Sequence, residues 1–110
     1  MLTLAYCRVS TEEQAEEGYS IEGQADRLGT YADFRDLGPI TVIADPGISG
    51  KNMSRPGLQQ LLAACEAGHV AHVLVWRLDR LSRSLADLIH LADRFSALGV
   101  SLHSVQELSG

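Results

Sequence analysis

The chain is expected to fold as an α/β protein, a three-layer sandwich with a mainly parallel four-stranded sheet and helices on both faces. Three observations lead there. Short apolar runs alternate with segments of helical periodicity in the order β-α-β-α-β-α-β, the pattern of a sheet assembled through right-handed crossovers. The run from Val70 to Trp76 is apolar without alternation, as in a strand buried on both faces. Gly68 and Gly99 each follow a periodic segment, where a left-handed residue ends a helix. A length of 110 residues is that of one domain.

Leu2 to Cys7 reads as the first strand, short, apolar and partly aromatic. Helical signals follow at once, because Ser10 with Glu13 and Thr11 with Gln14 both have capping-box spacing. Gly18 interrupts, and Ser20 is placed to cap a second stretch with Ile21, Ala25, Leu28 and Ala32 on one face. Gly29 weakens that helix by about 1 kcal/mol relative to alanine. Gly38-Pro39 turns the chain out of it.

Ile40 to Ala44 is the second strand, and Asp45 to Arg55 a polar loop. Pro56 suits the first helical position. Leu58, Leu61, Leu62 and Cys65 then recur at the spacing of one helix face, and Gly68 stops the helix. After the third strand, Ser84 to Leu98 reads as a helix with Leu85, Leu88, Ile89, Ala92, Phe95 and Leu98 toward the core. Val100 to Val105 is the fourth strand.

Composition narrows the function classes. No run of 18 apolar residues exists, and the N-terminus lacks the basic and long apolar regions of a signal peptide. A cytoplasmic protein without membrane spans is expected. Cys7 and Cys65 form no CxxC pair and read as two buried thiols in a reducing compartment. His69 and His72 make an HxxH pair at the entry to a strand rather than along a helix, so no metal site is expected.

The net charge of −5 argues at first against a nucleic-acid partner. Its distribution argues otherwise. Acidic residues crowd Glu12, Glu13, Glu16, Glu17, Glu22 and Asp26, and basic ones crowd Arg77, Arg80 and Arg83. An arginine about 4 Å from a phosphate gains roughly 4 kcal/mol of raw Coulomb energy at an effective dielectric of about 20. Exposed carboxylates beyond about 8 Å are largely screened. Local charge thus governs chemistry, and net charge predicts poor bulk affinity for DNA.

Two segments could carry that chemistry. In Tyr6-Cys-Arg-Val-Ser10-Thr-Glu-Glu-Gln14 a serine and an arginine stand where a strand runs into a helix. Ser10 read by itself is an N-cap. Arg8 lies two residues before it, on the same side if the strand extends that far. In Trp76-Arg-Leu-Asp-Arg80-Leu-Ser-Arg83-Ser84, Arg80 and Arg83 are three apart, on one face of any helical turn. Guanidinium is planar, forked and always charged, which suits phosphate. Asp79 is the carboxylate inside this basic cluster, either a structural partner or an acid–base group. Ligands of such sheets gather at the carboxyl ends of strands, so Ser10, the 45–55 loop and Arg80 are expected at one edge. Gly47-Ile-Ser-Gly-Lys-Asn52 imitates a P-loop, but Asp45 holds the first glycine position and Asn52 the magnesium-ligand position. Nucleotide binding is not expected.

These residues resemble the N-terminal catalytic domain of the serine recombinases, the resolvase and invertase family. The segment from Tyr6 to Gln14 is similar to that family's nucleophile motif. Ser49-Gly50 with Arg55-Pro56-Gly57-Leu58 looks like its mobile loop and following helix, and Leu78 to Ser84 like its second active-site motif. Glu17 to Gln24 looks like the large serine integrase and transposase branch. The resemblance implies the strand order 2-1-3-4 and a site-specific DNA recombinase. Ser10 would attack a DNA phosphodiester, keep the 5′ phosphate and release a 3′ hydroxyl. Arg8, Arg80 and Arg83 would grip the phosphate, Arg55 would be a further active-site arginine, and Asp79 would be a candidate donor to the leaving oxygen. Gln14, Ser49 and Tyr6 would support substrate binding.

No cofactor is implied, because exchanging one phosphodiester for another needs no energy source. The partners implied are the DNA backbone and, in a complete protein, further copies of the chain as a dimer becoming a tetramer. Residues 1–110 would form the catalytic domain, cut before a long helix that joins subunits and before a DNA-binding domain. Two other readings stay open. One is a non-catalytic, truncated subunit that pairs with or regulates recombinases. The other is a phosphate-ester hydrolase or nucleotide-binding protein using the same sheet edge.

Overall fold

A computed structural model of the chain describes residues 1–9, 20–46 and 55–106. Its elements run β1 (Leu2–Val9), α1 (Ile21–Phe34), β2 (Ile40–Pro46), α2 (Pro56–Glu66), β3 (Val70–Val75), a 3₁₀ turn (Leu78–Arg80), α3 (Leu85–Ala97) and β4 (Ser101–Ser104). The strands form one sheet in the order β2-β1-β3-β4, and every pairing is parallel. The expected class, layering and strand order are all present.

Alternation along β1 explains why a strand can be apolar throughout. Leu4 and Tyr6 enter the core shared with α2 and α3, whereas Ala5 and Cys7 enter the core beneath α1. Both faces of the central strand are thus removed from water. The four periodic residues of α2, Leu58, Leu61, Leu62 and Cys65, are all buried. In α1, Leu28 and Ala32 are buried, with Ile21 and Ala25 packed beside them.

The helix ends follow local chemistry. Ser20 accepts a hydrogen bond from the Gly23 amide at 3.0 Å, and Ser84 one from Asp87 at 3.3 Å. Gly99 ends α3 with φ of 73°. That turn lets the Val100 amide reach back to the Phe95 carbonyl at 2.9 Å.

Three expectations need correction. β1 and β2 run two residues further than read, to Val9 and Pro46, while Trp76 lies just outside β3 and β4 shrinks to Ser101–Ser104. In α3, Leu85 and Ile89 are 72% and 53% exposed, and Ala92 and Leu98 are also exposed. The buried stripe is instead Leu91 and Phe95 with Leu88 against them. The helix carries two apolar stripes and the sheet covers one. Lastly, Arg80 is buried and Arg83 exposed, so the two do not share a face. The turn at Leu78–Arg80 is a single 3₁₀ turn that closes before Arg83. The capping-box pairs from Ser10 to Gln14 fall outside the described residues.

Candidate active site

The carboxyl ends of β1, β2 and β3 bring the site together. β1 delivers Tyr6 and Arg8, β2 delivers Asp45, the start of α2 delivers Arg55, and the turn after β3 delivers Asp79 and Arg80. Three of these are arginines at most 1% exposed: Arg8, Arg55 and Arg80. Burying a guanidinium is costly unless every donor is met.

Backbone carbonyls meet part of that demand. Arg8 donates through Nε to the Arg80 carbonyl at 3.0 Å and through Nη2 to the Asp79 carbonyl at 2.6 Å. Arg55 donates through Nη1 to the same Arg80 oxygen at 3.1 Å and through Nη2 to the Leu81 carbonyl. Arg80 returns Nη1 to the Arg8 carbonyl at 2.9 Å. A carbonyl satisfies a donor but brings no negative charge. Three guanidinium groups thus meet in a place poor in water, with the Asp79 carboxylate paired to Arg80 at 2.9 Å, and charges act strongly on one another there. Arg55 Nε is buried and has no hydrogen-bond partner among the described residues. Burial pulls the Arg55 guanidinium below its ordinary range, yet arginine stays charged at any working pH.

Asp79 is the cluster's anchor. Its carboxylate accepts from Arg77 Nη2 at 2.7 Å and from Arg80 Nε at 2.9 Å. Burial raises its pKa, but the hydrogen bonds and charges of Arg80 and Arg77 outweigh burial and hold it at about 2. Asp79 is therefore a carboxylate near neutral pH, and it aims Arg80.

Asp45 organises the other side, a role the sequence reading missed. It accepts from the Tyr6 hydroxyl at 2.6 Å, the Gly57 amide at 2.8 Å and the Leu58 amide at 2.9 Å. The N-cap position of α2 is Arg55, which makes no side-chain cap. A carboxylate from β2 supplies that cap and complements the helix dipole. A helix beginning Arg-Pro-Gly without Ser, Thr, Asp or Asn at its N-cap was the available signal. The carboxylate also fills the position where a P-loop helix would receive a phosphate, so the P-loop likeness ends there.

Tyr6 is fully buried, and its hydroxyl is spent on Asp45. Burial, then the bond to Asp45, raises its pKa above the ordinary phenol value, so it stays a donor. The Arg55 guanidinium lies over its ring at 5.6 Å from the centroid. Gln24, also missed, clasps the end of β1: its Nε2 donates to the Arg8 carbonyl at 3.0 Å and its Oε1 accepts from the Arg8 amide at 3.3 Å. Ser10, Gln14 and Ser49 lie outside the described residues. Among the described residues no three His, Cys, Asp or Glu side chains are grouped to hold a metal ion. No described helix is long and apolar enough to cross a membrane.

Residues 3–109 match the family model described as "Resolvase, N terminal domain", and the chain belongs to that family, the serine recombinases. It is 38% identical over 106 residues to the transposon Tn552 DNA-invertase BinR of Staphylococcus aureus, covering 96% of this chain and 48% of that protein. It is 34% identical over 107 residues to the DNA-invertase hin of Salmonella typhimurium, covering 97% of this chain and 49% of that one. A shorter relative, uncharacterized immunity region protein 3 of Bacillus phage phi105, is 42% identical over 67 residues, which are 61% of this chain and 82% of that protein. Among solved structures, the N-terminal catalytic domain of TP901-1 integrase superposes with a TM-score of 0.88 at 39% identity, covering 97% of this chain and 79% of that one. The chain spans about half the length of the two invertases.

Proposed function

We propose that this chain is the catalytic domain of a site-specific DNA recombinase that cuts and rejoins strands through Ser10. The Ser10 oxygen attacks a DNA phosphorus, the bond to the 3′ oxygen breaks, and a 5′ phosphoserine diester and a 3′ hydroxyl result. Attack by a 3′ hydroxyl on that diester reseals the strand and frees the serine. One diester replaces another in each step, so the chemistry needs no energy-carrying cofactor.

The observation that carries this reading is the convergence of three buried arginines, Arg8, Arg55 and Arg80, at the end of the strand that leads into Ser10, with Arg8 two residues before it. Their retained charge is suited to the charge that develops on phosphate oxygens in the transition state. Arg55 Nε is a buried donor to which a phosphate oxygen could be supplied. The same field favours the serine alkoxide. Arg83, exposed at the rim, is a phosphate contact outside the cluster. Tyr6 acts through Asp45, and Gln14 and Ser49 support substrate binding. Asp79 holds no proton near neutral pH in this arrangement, so protonating the leaving oxygen would require bound phosphate to draw Arg77 and Arg80 away from it. DNA, and further copies of the chain in a longer protein, are the partners proposed, and the cytoplasm is the proposed compartment.

A second reading has one observation in its favour. The matched segment makes up 82% of the length of the phage relative. A protein of this fold could pair with recombinases without cutting.

A covalent-trap assay tests the first reading. Residues 1–110 are joined to the subunit-joining helix and DNA-binding domain of a relative with a known site. An adduct on a denaturing gel that disappears in Ser10→Ala supports it. A folded, DNA-bound chimera that forms no adduct favours the second reading.

A further inference from the structure

Away from the arginine cluster, two imidazoles face one another on the α1 side of the sheet. In the parallel register of β3 and β4, His72 lies beside Ser101 and His103 beside Leu74. The histidines are diagonal neighbours on one face, the face on which Leu74 joins the core under α1. His72 Nδ1 and His103 Nε2 are 3.1 Å apart, with ring centroids 5.2 Å apart. Both side chains are half-buried, so solutes can reach them.

Two residues of α1 hold this pair. The Tyr31 hydroxyl is 2.8 Å from His103 Nδ1, and Arg35 Nη1 donates to the same hydroxyl at 2.9 Å. Arginine only donates, so the Tyr31 proton is free to point at His103 Nδ1. Neutral His103 then carries its proton on Nε2 and donates to His72 Nδ1. That bond holds the two nitrogens at 3.1 Å, and an ion would replace it by turning both lone pairs toward itself.

We propose that His72 and His103 are a two-imidazole chelate for a borderline divalent transition-metal ion such as Zn²⁺ or Cu²⁺, with Tyr31 as its outer partner. An ion at about 2.0–2.1 Å from each nitrogen places the two nitrogens roughly 2.8–3.4 Å apart, for angles between square and tetrahedral. The observed 3.1 Å falls in that range. Binding needs no proton to leave the protein. His103 moves its proton from Nε2 to Nδ1, donates it to the Tyr31 oxygen, and gives the freed Nε2 lone pair to the metal. A metal-bound imidazole commonly makes such an outer bond. Water completes the coordination, because the described residues offer no third His, Cys, Asp or Glu nearby. An exchangeable ion that ties β3, β4 and α1 together is the result.

Titration calorimetry of the 110-residue chain with ZnCl₂ in a non-chelating buffer tests this. One equivalent should bind, with affinity falling more than tenfold in His72→Gln and in His103→Gln, and by about tenfold in Tyr31→Phe. The exposed histidines serve as controls, and His69→Gln and His90→Gln should leave affinity unchanged. Cu²⁺ spectra should show two imidazole nitrogens in the wild type and one in His72→Gln. Circular dichroism checks that each variant is folded. His72 ends the hydrogen-bonded chain, so its variant remains informative if His103→Gln fails to fold. No Zn²⁺ binding, or binding lost equally in the His69 and His90 controls, overturns the proposal.

Discussion

The Asp45 carboxylate lies 2.8 Å from the Gly57 amide, and a Cβ built at Gly57 would come within 2.7 Å of a carboxylate oxygen. The two residues are therefore matched. The carboxylate caps α2 only because the helix has no side chain at its second position. Gly57→Ala should displace Asp45, expose the first turn of α2 and disturb Arg55 just before it. A loss of about 1–3 kcal/mol is expected by urea unfolding. Asp45→Asn, which keeps an acceptor, should lose less than Asp45→Ala.

Arg80 bonds Asp79 through Nε and the Arg8 carbonyl through Nη1. A lysine ammonium cannot span both acceptors in that planar fork. Arg80→Lys in the DNA-binding chimera should therefore lower adduct formation by roughly a hundredfold or more, measured by single-turnover cleavage. Activity close to wild type would remove Arg80 from the proposed phosphate site.

Asp79 links the site to acid stability. Its carboxyl sits at about 2, below the ordinary value. A carboxyl depressed on folding stabilises the protein above its unfolded pKa. That contribution, about 2 kcal/mol at most, is complete above about pH 4 and fades as pH falls through about 2. Asp79→Asn should flatten the pH dependence of urea unfolding in that window.

Cys7 and Cys65 are both buried. Burial pushes the Cys7 thiol up to about 12, so almost no thiolate forms at pH 8. Maleimide labelling at pH 8 should be negligible in the native chain and complete in denaturant. Fast native labelling of Cys7 would show that the end of β1 opens.

Burial divides the leucines of α3. Leu91 is 2% exposed and Leu85 is 72% exposed. Leu91→Ala should cost about 2–5 kcal/mol and Leu85→Ala within about 0.5 kcal/mol of nothing, as read by thermal or urea unfolding.

That contrast marks what local pattern can and cannot specify. Element type, order and most boundaries were legible because they depend on local chemistry: Ser20 and Ser84 as caps, Pro56 at a first helical position, Gly68 and Gly99 as stops. The face of α2 was legible because its apolar residues form one stripe. In α3 two stripes compete, and only the position of the sheet selects Leu91 and Phe95.

The site divides in the same way. Arg8, Asp79 and Arg80 could be named as candidates from residue type and spacing, and Arg55 from the family resemblance. Their arrangement could not. That the Arg80 carbonyl receives both Arg8 and Arg55, that Arg83 stays outside, and that Asp45 caps a helix twelve residues on all depend on three strands ending together. The same holds for His72. In the sequence its near neighbour is His69, whereas parallel pairing of β3 and β4 sets it against His103. Residue chemistry and local periodicity act over a few positions, so the chain by itself determines its elements and candidate groups. Contacts between residues 12 to 72 positions apart exist only once the sheet has brought the strand ends together, so the tertiary structure decides which groups act as one.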